Sequence, residues 1–595
     1  MHVTTVLQQT WDLDSLFPGG SRSAEFSAFL DDLARAIDSF TDRTTRLPVS
    51  GGVDDWAESI LALQDLRARQ RQAAAFTECL TSADTRDERA KGLQSRVTEL
   101  SGRISAALAA FDAKLSQLDE ATWAQLIEDY RVVPVRFHVE ERRRRALDKL
   151  PPEQEQLIAG LMVDGYHGWS QLYDTIVGGL TITVEDAGTR QTISMGQAAN
   201  RLLTPDRAVR DRLFQQWEAA WQSREDLCAQ AINHIAGFRL EVYRRRGWDD
   251  VLREPLEINR MDRETLETMW AVIAANKAPL VKYLERKAKL FGVPRLSWHD
   301  VPAPLGRSTS TVTYEQARQF IVDHFGQFNP EMARFADSCF RDRWIEAEDR
   351  PGKQSGAFCT SFPVSRQTRV FMTFSGTTAN VSTLAHELGH AYHQHVMRDM
   401  PVLMQQYAMN VAETASTFAE AIVSDAAVRA AGDKDERIAL LDEKIERAVA
   451  MLMNIHARFL FETRFYEERK RGWVPAERLN ELMVEAQREA YCDALAEWHP
   501  RFWASKLHFY ITTTPFYNFP YTFGYLFSAG IYARAQAEGP SFADKYVALL
   551  RDTAAMRVEE LAHRHLGVDL RQPDFWQSAV DLAVADVDEF LRLTE

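Results

Sequence analysis

The sequence predicts a large, mainly α-helical protein. Apolar residues recur at helical spacing along most of the 595 residues, and the period changes to alternating or β-branched residues in two short stretches. Those stretches predict a short β-hairpin in the N-terminal part and a small sheet further along. Hydrophobic residues make up 45% and charged residues 26% of the chain, which is ordinary for a globular protein of this size with more than one core.

The N-terminal part is predicted to be a stack of antiparallel helices. From Ser23 onward the apolar residues follow a helical period: Phe26, Phe29, Leu30, Leu33, Ile37 and Phe40. Two further amphipathic runs begin near Asp54 and near Arg86, with charged and amide side chains on the opposite face. Such helices are stable when their apolar faces pack on one another.

The predicted hairpin pairs residues 180–184 with residues 191–194. Both stretches alternate or are β-branched, and the segment 186–190 between them contains the turn-forming pair Asp186 and Gly188. Helices are expected to resume at Thr204-Pro205, where Thr204 would cap the helix and Pro205 would be its first residue.

Charge and cysteine content exclude several classes of partner. A net charge of −15 argues against nucleic acids and anionic membranes. No apolar run is long enough to span a membrane, and no basic segment followed by an apolar run marks a secretory signal. The five cysteines are scattered and odd in number, so we expect reduced, structural thiols and a cytoplasmic protein.

The most informative motif is His386-Glu387-Leu388-Gly389-His390, which has the pattern H-E-x-x-H. On a helix, residues four apart lie on one face, so His386 and His390 can bind one Zn²⁺. Glu387 then lies beside the metal, where it can take a proton from water. Asn380 or Ser382 is expected to cap this helix, and Leu384, Leu388 and Ala391 form an apolar stripe along it. His393 lies about 10 Å along the axis from His386, too far to share the metal, and is expected to pack or to support a ligand.

A catalytic zinc site needs a third protein ligand, and Glu413 is the candidate. It lies beyond the Met400-Pro401 break, where a second helix can begin alongside the first. The alternative is that Asn410 and Glu413 form a capping box. Glu420, two turns after Glu413, either supports a ligand histidine or is an ordinary surface glutamate.

These segments carry a family resemblance. Residues 371–377, 381–393 and 413–416 together resemble the M3 family of zinc metallopeptidases, within it the oligoendopeptidase F branch. The resemblance implies His386, His390 and Glu413 as ligands of one Zn²⁺ per chain and Glu387 as the catalytic base. It is strongest over residues 200–595.

Two short strands are predicted just before the metal helix, over residues 356–363 and 368–374. A strand edge beside the metal lets an extended peptide add its own backbone hydrogen bonds. The resemblance implies that Gly356, Ala357 and Phe358 supply this edge. The alternative is a structural sheet that never contacts substrate.

Residues 508–525 form a second constellation, rich in aromatic residues and carrying Pro515, Pro520 and Gly524. Neutral donors such as a tyrosine hydroxyl or an imidazole N–H stabilise the oxyanion of amide hydrolysis. By the resemblance, His508 and Tyr521 are candidate donors, and the candidate substrate contacts are Tyr510, Tyr517 and Tyr525. The alternative is an aromatic wedge that fills a crevice. Compared with better-known members of the family, this chain has three extra residues between His508 and the tyrosines. Phe519 stands where a tyrosine is expected.

We therefore expect a helical zinc endopeptidase whose N-terminal helices enclose a deep central cleft over the metal. Such a cleft admits short unstructured peptides and excludes folded proteins. The chain is expected to divide into three parts. Residues 1–110 form a helical region, and residues 111–200 form a helical region with the hairpin, which resembles the N-terminal part of the oligoendopeptidase F branch. Residues 201–595 form the catalytic domain. The alternatives are a zinc carboxypeptidase or dipeptidase with the same ligands, and a helical protein that binds peptide or metal without catalysis.

Overall fold

The computed structural model describes residues 7–186, 189–306 and 311–595. The predicted class is confirmed, because most of these residues are helical and the strands are few and short. No helix within the described ranges is long and apolar enough to cross a membrane.

The N-terminal helices share one hydrophobic core, as predicted for stacked helices. Their bounds are α1 Ala24–Arg46, α2 Val53–Ala83, α3 Glu88–Ser116, α4 Glu120–Leu126 and α5 Arg136–Leu147. The Ser23 hydroxyl caps α1 by accepting a hydrogen bond from the N–H of Phe26. This core runs from Trp11 to Val139 and crosses residue 110, while the predicted three-part division stays a prediction.

The predicted hairpin is present and follows two helices, α6 Pro152–Met162 and α7 Gly168–Gly179. Strands β1 Thr181–Asp186 and β2 Thr189–Ser194 pair antiparallel, with the buried Ile182 opposite Ile193. Part of the connecting segment, residues 187 and 188, lies outside the described residues. The expected cap at Thr204 is wrong, because the Asp206 carboxylate accepts from the first N–H groups and the helix begins at Arg207.

The remaining helices surround a second core that runs from Tyr166 to Phe590. Before the sheet they are α8 Met195–Arg201, α9 Arg207–Gln222, α10 Glu225–Arg245, α11 Arg253–Ile258, α12 Arg263–Ala275, α13 Ala278–Leu290, α14 Tyr314–Phe328 and α15 Pro330–Arg341. After it they are α16 Thr378–Met397, α17 Thr414–Ala430, α18 Lys434–Val449, α19 Ile455–Arg469, α20 Ala476–Ala490, α21 Phe502–Ser505, α22 Phe519–Glu538, α23 Ala543–Asp552, α24 Val558–Leu566, α25 Pro573–Val584 and α26 Asp586–Leu593.

The small sheet joins the two cores. Its strands are β3 Ile345–Glu346, β4 Phe358–Phe362 and β5 Gln367–Phe371. Strand β5 lies in the centre, parallel to β3 and antiparallel to β4, so one side of β4 has no strand partner among the described residues. The two strands predicted from the sequence are confirmed, and the two-residue β3 is too short to give a pattern of its own. The sheet packs on α16, while Phe362 and Phe371 belong to the N-terminal core.

Candidate metal centre and active site

Helix α16 carries the H-E-x-x-H motif and has a well-defined start. The Thr377 hydroxyl accepts from the N–H of Asn380, and the Asn380 side chain accepts from the N–H of Thr377, which is a capping box. The expected cap at Asn380 or Ser382 is therefore wrong, because Asn380 is the reciprocal partner in the box. The predicted apolar stripe is confirmed, and all three of its residues are buried: Leu384, Leu388 and Ala391.

The two motif histidines converge with Glu413. The Glu413 Oε2 lies 3.2 Å from His386 Nε2 and 3.5 Å from His390 Nε2. The ligand atoms of the three residues all lie within 4.8 Å of one another. A zinc ion bound at about 2.0–2.2 Å from each atom requires such a spacing, so the donor set fits the metal that the motif implies.

Glycine at position 389 brings the two ligand helices together. A Cβ on Gly389 would lie 2.5 Å from the Ala415 carbonyl oxygen and 2.6 Å from the Ser416 Cα, both backbone atoms of the Glu413 segment. No side chain fits there, because real Cβ atoms do not approach backbone atoms so closely. The glycine of the motif therefore sets the distance between the histidines and their third partner.

Glu413 is free to act as a ligand because it caps no helix. It stands immediately before α17, and its side chain makes no capping hydrogen bond. The alternative capping box is wrong, since Asn410 lies in a separate turn, Met409–Val411. The Ser416 hydroxyl donates to Glu413 Oε2 at 2.7 Å. Burial opposes ionisation, but the hydrogen bond with His386 and the electrostatic interactions with both histidines outweigh it and lower the Glu413 pKa to about 2.

Glu387 is a buried carboxylate, and one of its oxygens has no hydrogen-bond partner among the described residues. Its side chain is 6% exposed, and the oxygen without a partner in this part of the chain is Oε2. Burial raises the pKa of Glu387 to about 7, His386 opposes this, and the Glu413 charge adds to it. A carboxylate with such a pKa can both accept and return a proton near neutral pH.

Glu420 orients one ligand histidine. Its Oε2 lies 3.1 Å from His386 Nδ1, and its other oxygen pairs with the Arg447 guanidinium. Because Nδ1 of His386 contacts Glu420, its Nε2 is directed at Glu413. Carboxylates orient metal-binding histidines in this way. The supporting role of Glu420 is thus confirmed over the surface alternative. Arg447 itself was missed, because a lone arginine in a charged helix gives no signal.

His393 packs instead of binding the metal. Its Nε2 lies 3.1 Å from the Leu550 carbonyl oxygen and 2.9 Å from the Thr553 hydroxyl, and its ring stacks on Tyr407. The predicted packing role is confirmed.

A cavity of about 330 Å³ adjoins the ligand group. It is lined by Thr383, His386, Glu413, Thr417, Glu420, Arg447, Met451, Tyr521 and Tyr525. It therefore lies between the metal ligands and the start of α22, which belongs to the aromatic segment.

Tyr521 and Tyr525 are the aromatic residues that the structure brings to this cavity. They lie on α22, which approaches Glu413 closely at Gly524, where a Cβ would lie 3.2 Å from the Glu413 Cβ. Burial raises the pKa of the Tyr521 hydroxyl well above its usual value, so it keeps its proton and can donate.

Tyr517 and His508 form the layer behind Tyr521. The Tyr517 and Tyr521 rings lie 5.5 Å apart edge to face, and the His508 ring lies 6.0 Å from Tyr521. Burial, then the charges of Arg458 and Lys506, lower the pKa of His508 to about 4, so the ring is neutral. Its Nδ1 is buried and has no partner among the described residues.

Tyr510 is not brought to the cavity. Its side chain is fully buried, and its ring stacks on Tyr173 with centroids 3.7 Å apart. A peptide in the cleft cannot reach Tyr510 in this structure. At this position the alternative applies, in which the aromatic side chain fills a crevice.

The proposed substrate edge lies on the other flank of α16. Phe358 begins β4, Gly356 has a φ of 98°, and Ala357 is half-buried. The Phe358 ring stacks on the ring of Phe371, its partner on β5, with centroids 5.1 Å apart. Cys359, the next residue, is close enough for the Glu387 charge to add to the burial that raises its pKa. The strand edge is therefore on the side of the Glu387 carboxylate.

Comparisons with known proteins agree with this geometry. The model of peptidase family M3 matches residues 202–582, and the model named oligopeptidase F matches residues 114–181. An oligoendopeptidase F homologue of Lactococcus lactis is 22% identical over 98% of this chain and 97% of its own. Oligopeptidase PepF of Bacillus subtilis is 20% identical over 98% of this chain and 87% of its own.

Solved structures show the same fold. A protein from Chlamydophila abortus superposes with a TM-score of 0.85 at 19% identity, covering 98% of both chains. Oligoendopeptidase-F from Enterococcus faecium gives a TM-score of 0.72 at 18% identity, covering 96% of this chain and 98% of its own. The family model covers well over half of the chain, and the site it surrounds has the donor set of a metallopeptidase. The chain therefore belongs to peptidase family M3, in its oligoendopeptidase F branch, and is a metalloendopeptidase.

Proposed function

We propose that the protein is a zinc-dependent endopeptidase that hydrolyses short, unstructured peptides. The observation that carries the proposal is the convergence of His386, His390 and Glu413 within 4.8 Å, beside the buried Glu387 carboxylate with an unpartnered oxygen. Relatives across nearly the full chain are named oligoendopeptidases and oligopeptidases, which supports a peptide substrate.

His386 Nε2, His390 Nε2 and a Glu413 oxygen would hold one zinc ion. When bound, zinc polarises the scissile carbonyl and lowers the pKa of a water molecule toward about 7. The low pKa of Glu413 keeps it anionic, and burial keeps His390 neutral by lowering its pKa to about 4, as metal ligands must be.

Glu387 acts as the general base. Its Oε2 accepts a proton as water attacks the carbonyl carbon, and the same carboxyl returns the proton to the amine that leaves. Tyr521 donates its hydroxyl hydrogen to the oxyanion from the cavity wall, since its raised pKa keeps it protonated. The rings of His508 and Tyr517 pack near Tyr521 and hold it in place, and His508 is the second donor candidate.

The edge of β4 is the site where we place the peptide backbone. Gly356, Ala357 and Phe358 precede or begin a strand with an open side, so an extended peptide can pair there next to Glu387. Tyr525 would contact the peptide from the opposite wall of the cavity. The proposal also places the enzyme in the cytoplasm, because none of its five cysteines forms a disulfide.

The decisive experiment replaces Glu387 by glutamine. Zinc content should stay near one per chain, while kcat for an internally quenched peptide falls by about 10²–10⁴-fold or more. Chelation followed by zinc should restore the native enzyme and not the variant. A variant that retains zinc and full turnover would refute the assigned base.

A quenched peptide blocked at both ends separates the proposal from a carboxypeptidase or dipeptidase. Internal cleavage is expected, because relatives that align with nearly the full chain are named oligoendopeptidases. Cleavage that requires a free end would support the exopeptidase instead. Zinc binding without any turnover would support a binding protein.

A further inference from the structure

A second cavity, of about 380 Å³, continues from the metal-side cavity. The two share four lining residues, which are Thr417, Glu420, Arg447 and Tyr525. Glu420 and Arg447 contact each other and link the cavity to His386. A side chain of a peptide held at the metal can therefore extend into this space.

Helices from distant parts of the chain form the walls of this pocket, and the walls are mostly apolar. They include Phe320 of α14, Val381 of α16, Val423 and Ala427 of α17, and Leu440 of α18. Such walls suit a long aliphatic stem or a ring.

The cations that line the pocket are already paired. Lys444 Nζ lies 2.6 Å from Asp425 Oδ1 and 2.6 Å from Asp586 Oδ2. The Arg447 guanidinium pairs with Glu420. Among the described lining residues, the cations are therefore neutralised by carboxylates and do not attract an acidic side chain.

Glu443 is a lining carboxylate without a partner. Among the described residues no hydrogen bond or ion pair reaches it, and burial, reinforced by Asp442, raises its pKa. It precedes Arg447 by one helical turn, about 6 Å along α18. Glu436 also lines the pocket, and its carboxylate accepts a hydrogen bond from the Gly432 N–H at 2.9 Å.

We propose that this pocket binds a lysine or arginine side chain of the substrate next to the cleaved bond, with Glu443 binding its cationic head. The inference rests on the proposed function and names the substrate class that the site selects. The stem of a basic side chain packs on the apolar walls and its head reaches the carboxylate one turn beyond Arg447. An aliphatic or aromatic side chain would fill the walls but bury Glu443 unpaired, which is costly. An acidic side chain would be repelled.

The test compares blocked, quenched peptides that differ in one residue. Mass-spectrometric mapping of cuts in a peptide pool first identifies the position next to the bond where basic residues are enriched. Matched peptides then carry lysine, its uncharged isostere norleucine, or glutamate there. The wild-type kcat/KM should be at least about tenfold higher for lysine than for norleucine, because a charge-assisted hydrogen bond contributes about 1.5–3 kcal/mol.

Glu443→Gln should bring the lysine to norleucine ratio close to one, because the lysine rate falls with the loss of the charge-assisted hydrogen bond and the norleucine rate rises when no carboxylate is buried unpaired. Asp435→Asn, on an exposed residue of the same helix that does not line the pocket, should leave the ratio unchanged. Ala427→Phe should fill the pocket and slow cleavage of lysine and norleucine peptides alike, while peptides with glycine there are still cut.

A wild-type enzyme without a preference for lysine, or a preference that survives Glu443→Gln, would overturn the inference and leave the peptidase proposal standing. An enzyme that cuts no peptide in the pool would refute the proposed function itself.

Discussion

The two helices that carry the candidate metal ligands and the aromatic segment 508–525 meet at one cavity but are built differently. In the helix pair, the two histidines are placed by their spacing of four residues, and Glu413 is placed by the close backbone contact at Gly389. In the aromatic segment the side chains point to different environments, so that Tyr521 reaches the cavity and Tyr510 lies in the core. On a regular helix, the spacing along the sequence determines which side chains lie on the same face. In an irregular segment, the position of each side chain depends on its packing against residues far away in the sequence.

Among the variants that test this difference, the largest effect is expected at Tyr521. Tyr521→Phe removes the proposed oxyanion donor and should lower kcat by about 10²–10³-fold without loss of zinc. Tyr517→Phe is the matched control in the layer behind it and should cost at most about tenfold. Equal losses at both positions would mean that the aromatic segment acts as a unit and that Tyr521 has no separate role. Steady-state kinetics together with metal analysis measures both.

The next effect tests the contact between the helices. Gly389→Ala places a methyl group against the backbone of Ala415 and Ser416, so we expect a loss of about 1–3 kcal/mol or more in unfolding free energy, with weaker zinc binding. Gly102→Ala in α3 meets nothing within 4 Å and should stabilise the protein by about 0.5–1 kcal/mol. Urea unfolding compares the two. A tolerated alanine at residue 389 would contradict the close helix approach.

A smaller effect is expected for Glu420→Gln. The amide cannot hold His386 Nδ1 as the carboxylate does, and it leaves Arg447 without its ion pair, so zinc affinity should fall about 10–100-fold. Competition with a fluorescent chelator measures this directly. Unchanged affinity would show that the helix contact alone orients the histidine.

The smallest effect concerns the charge state of His508. Its folded pKa of about 4 lies below the unfolded value near 6.5, so the unfolded state binds more protons in between, and stability falls as the pH drops through this window. From pH 7 to 5.5 the loss should be about 1 kcal/mol greater in the wild type than in His508→Asn. Urea midpoints at the two pH values give the difference, and an NMR titration of His508 above pH 6 would contradict it.

The metal set could be predicted because local rules determine most of it. The i, i+4 spacing of His386 and His390 places both rings on one face of any helix that forms there. The break at Met400-Pro401 and the apolar run after Glu413 indicate a second helix. The helical class, the hairpin and two strands of the small sheet follow from periodicity in the same way.

Other features depend on contacts between distant residues and could not be predicted. Tyr510 is buried because Tyr173, more than three hundred residues earlier, stacks on it. The role of Arg447 depends on its meeting Glu420 across two helices, and the pocket around Glu443 is formed by residues of five helices. The cap at Thr377 was missed for a local reason, since Asn380 is also a good capping residue and only the backbone decides between them.

The small sheet has a mechanical consequence for the cleft. One of its faces rests on the helix with the motif, while the rings of Phe362 and Phe371 are embedded in the N-terminal core. Moving the N-terminal helices away from the metal site would expose both rings to water. We therefore expect this flank of the cleft to stay in place when a peptide enters.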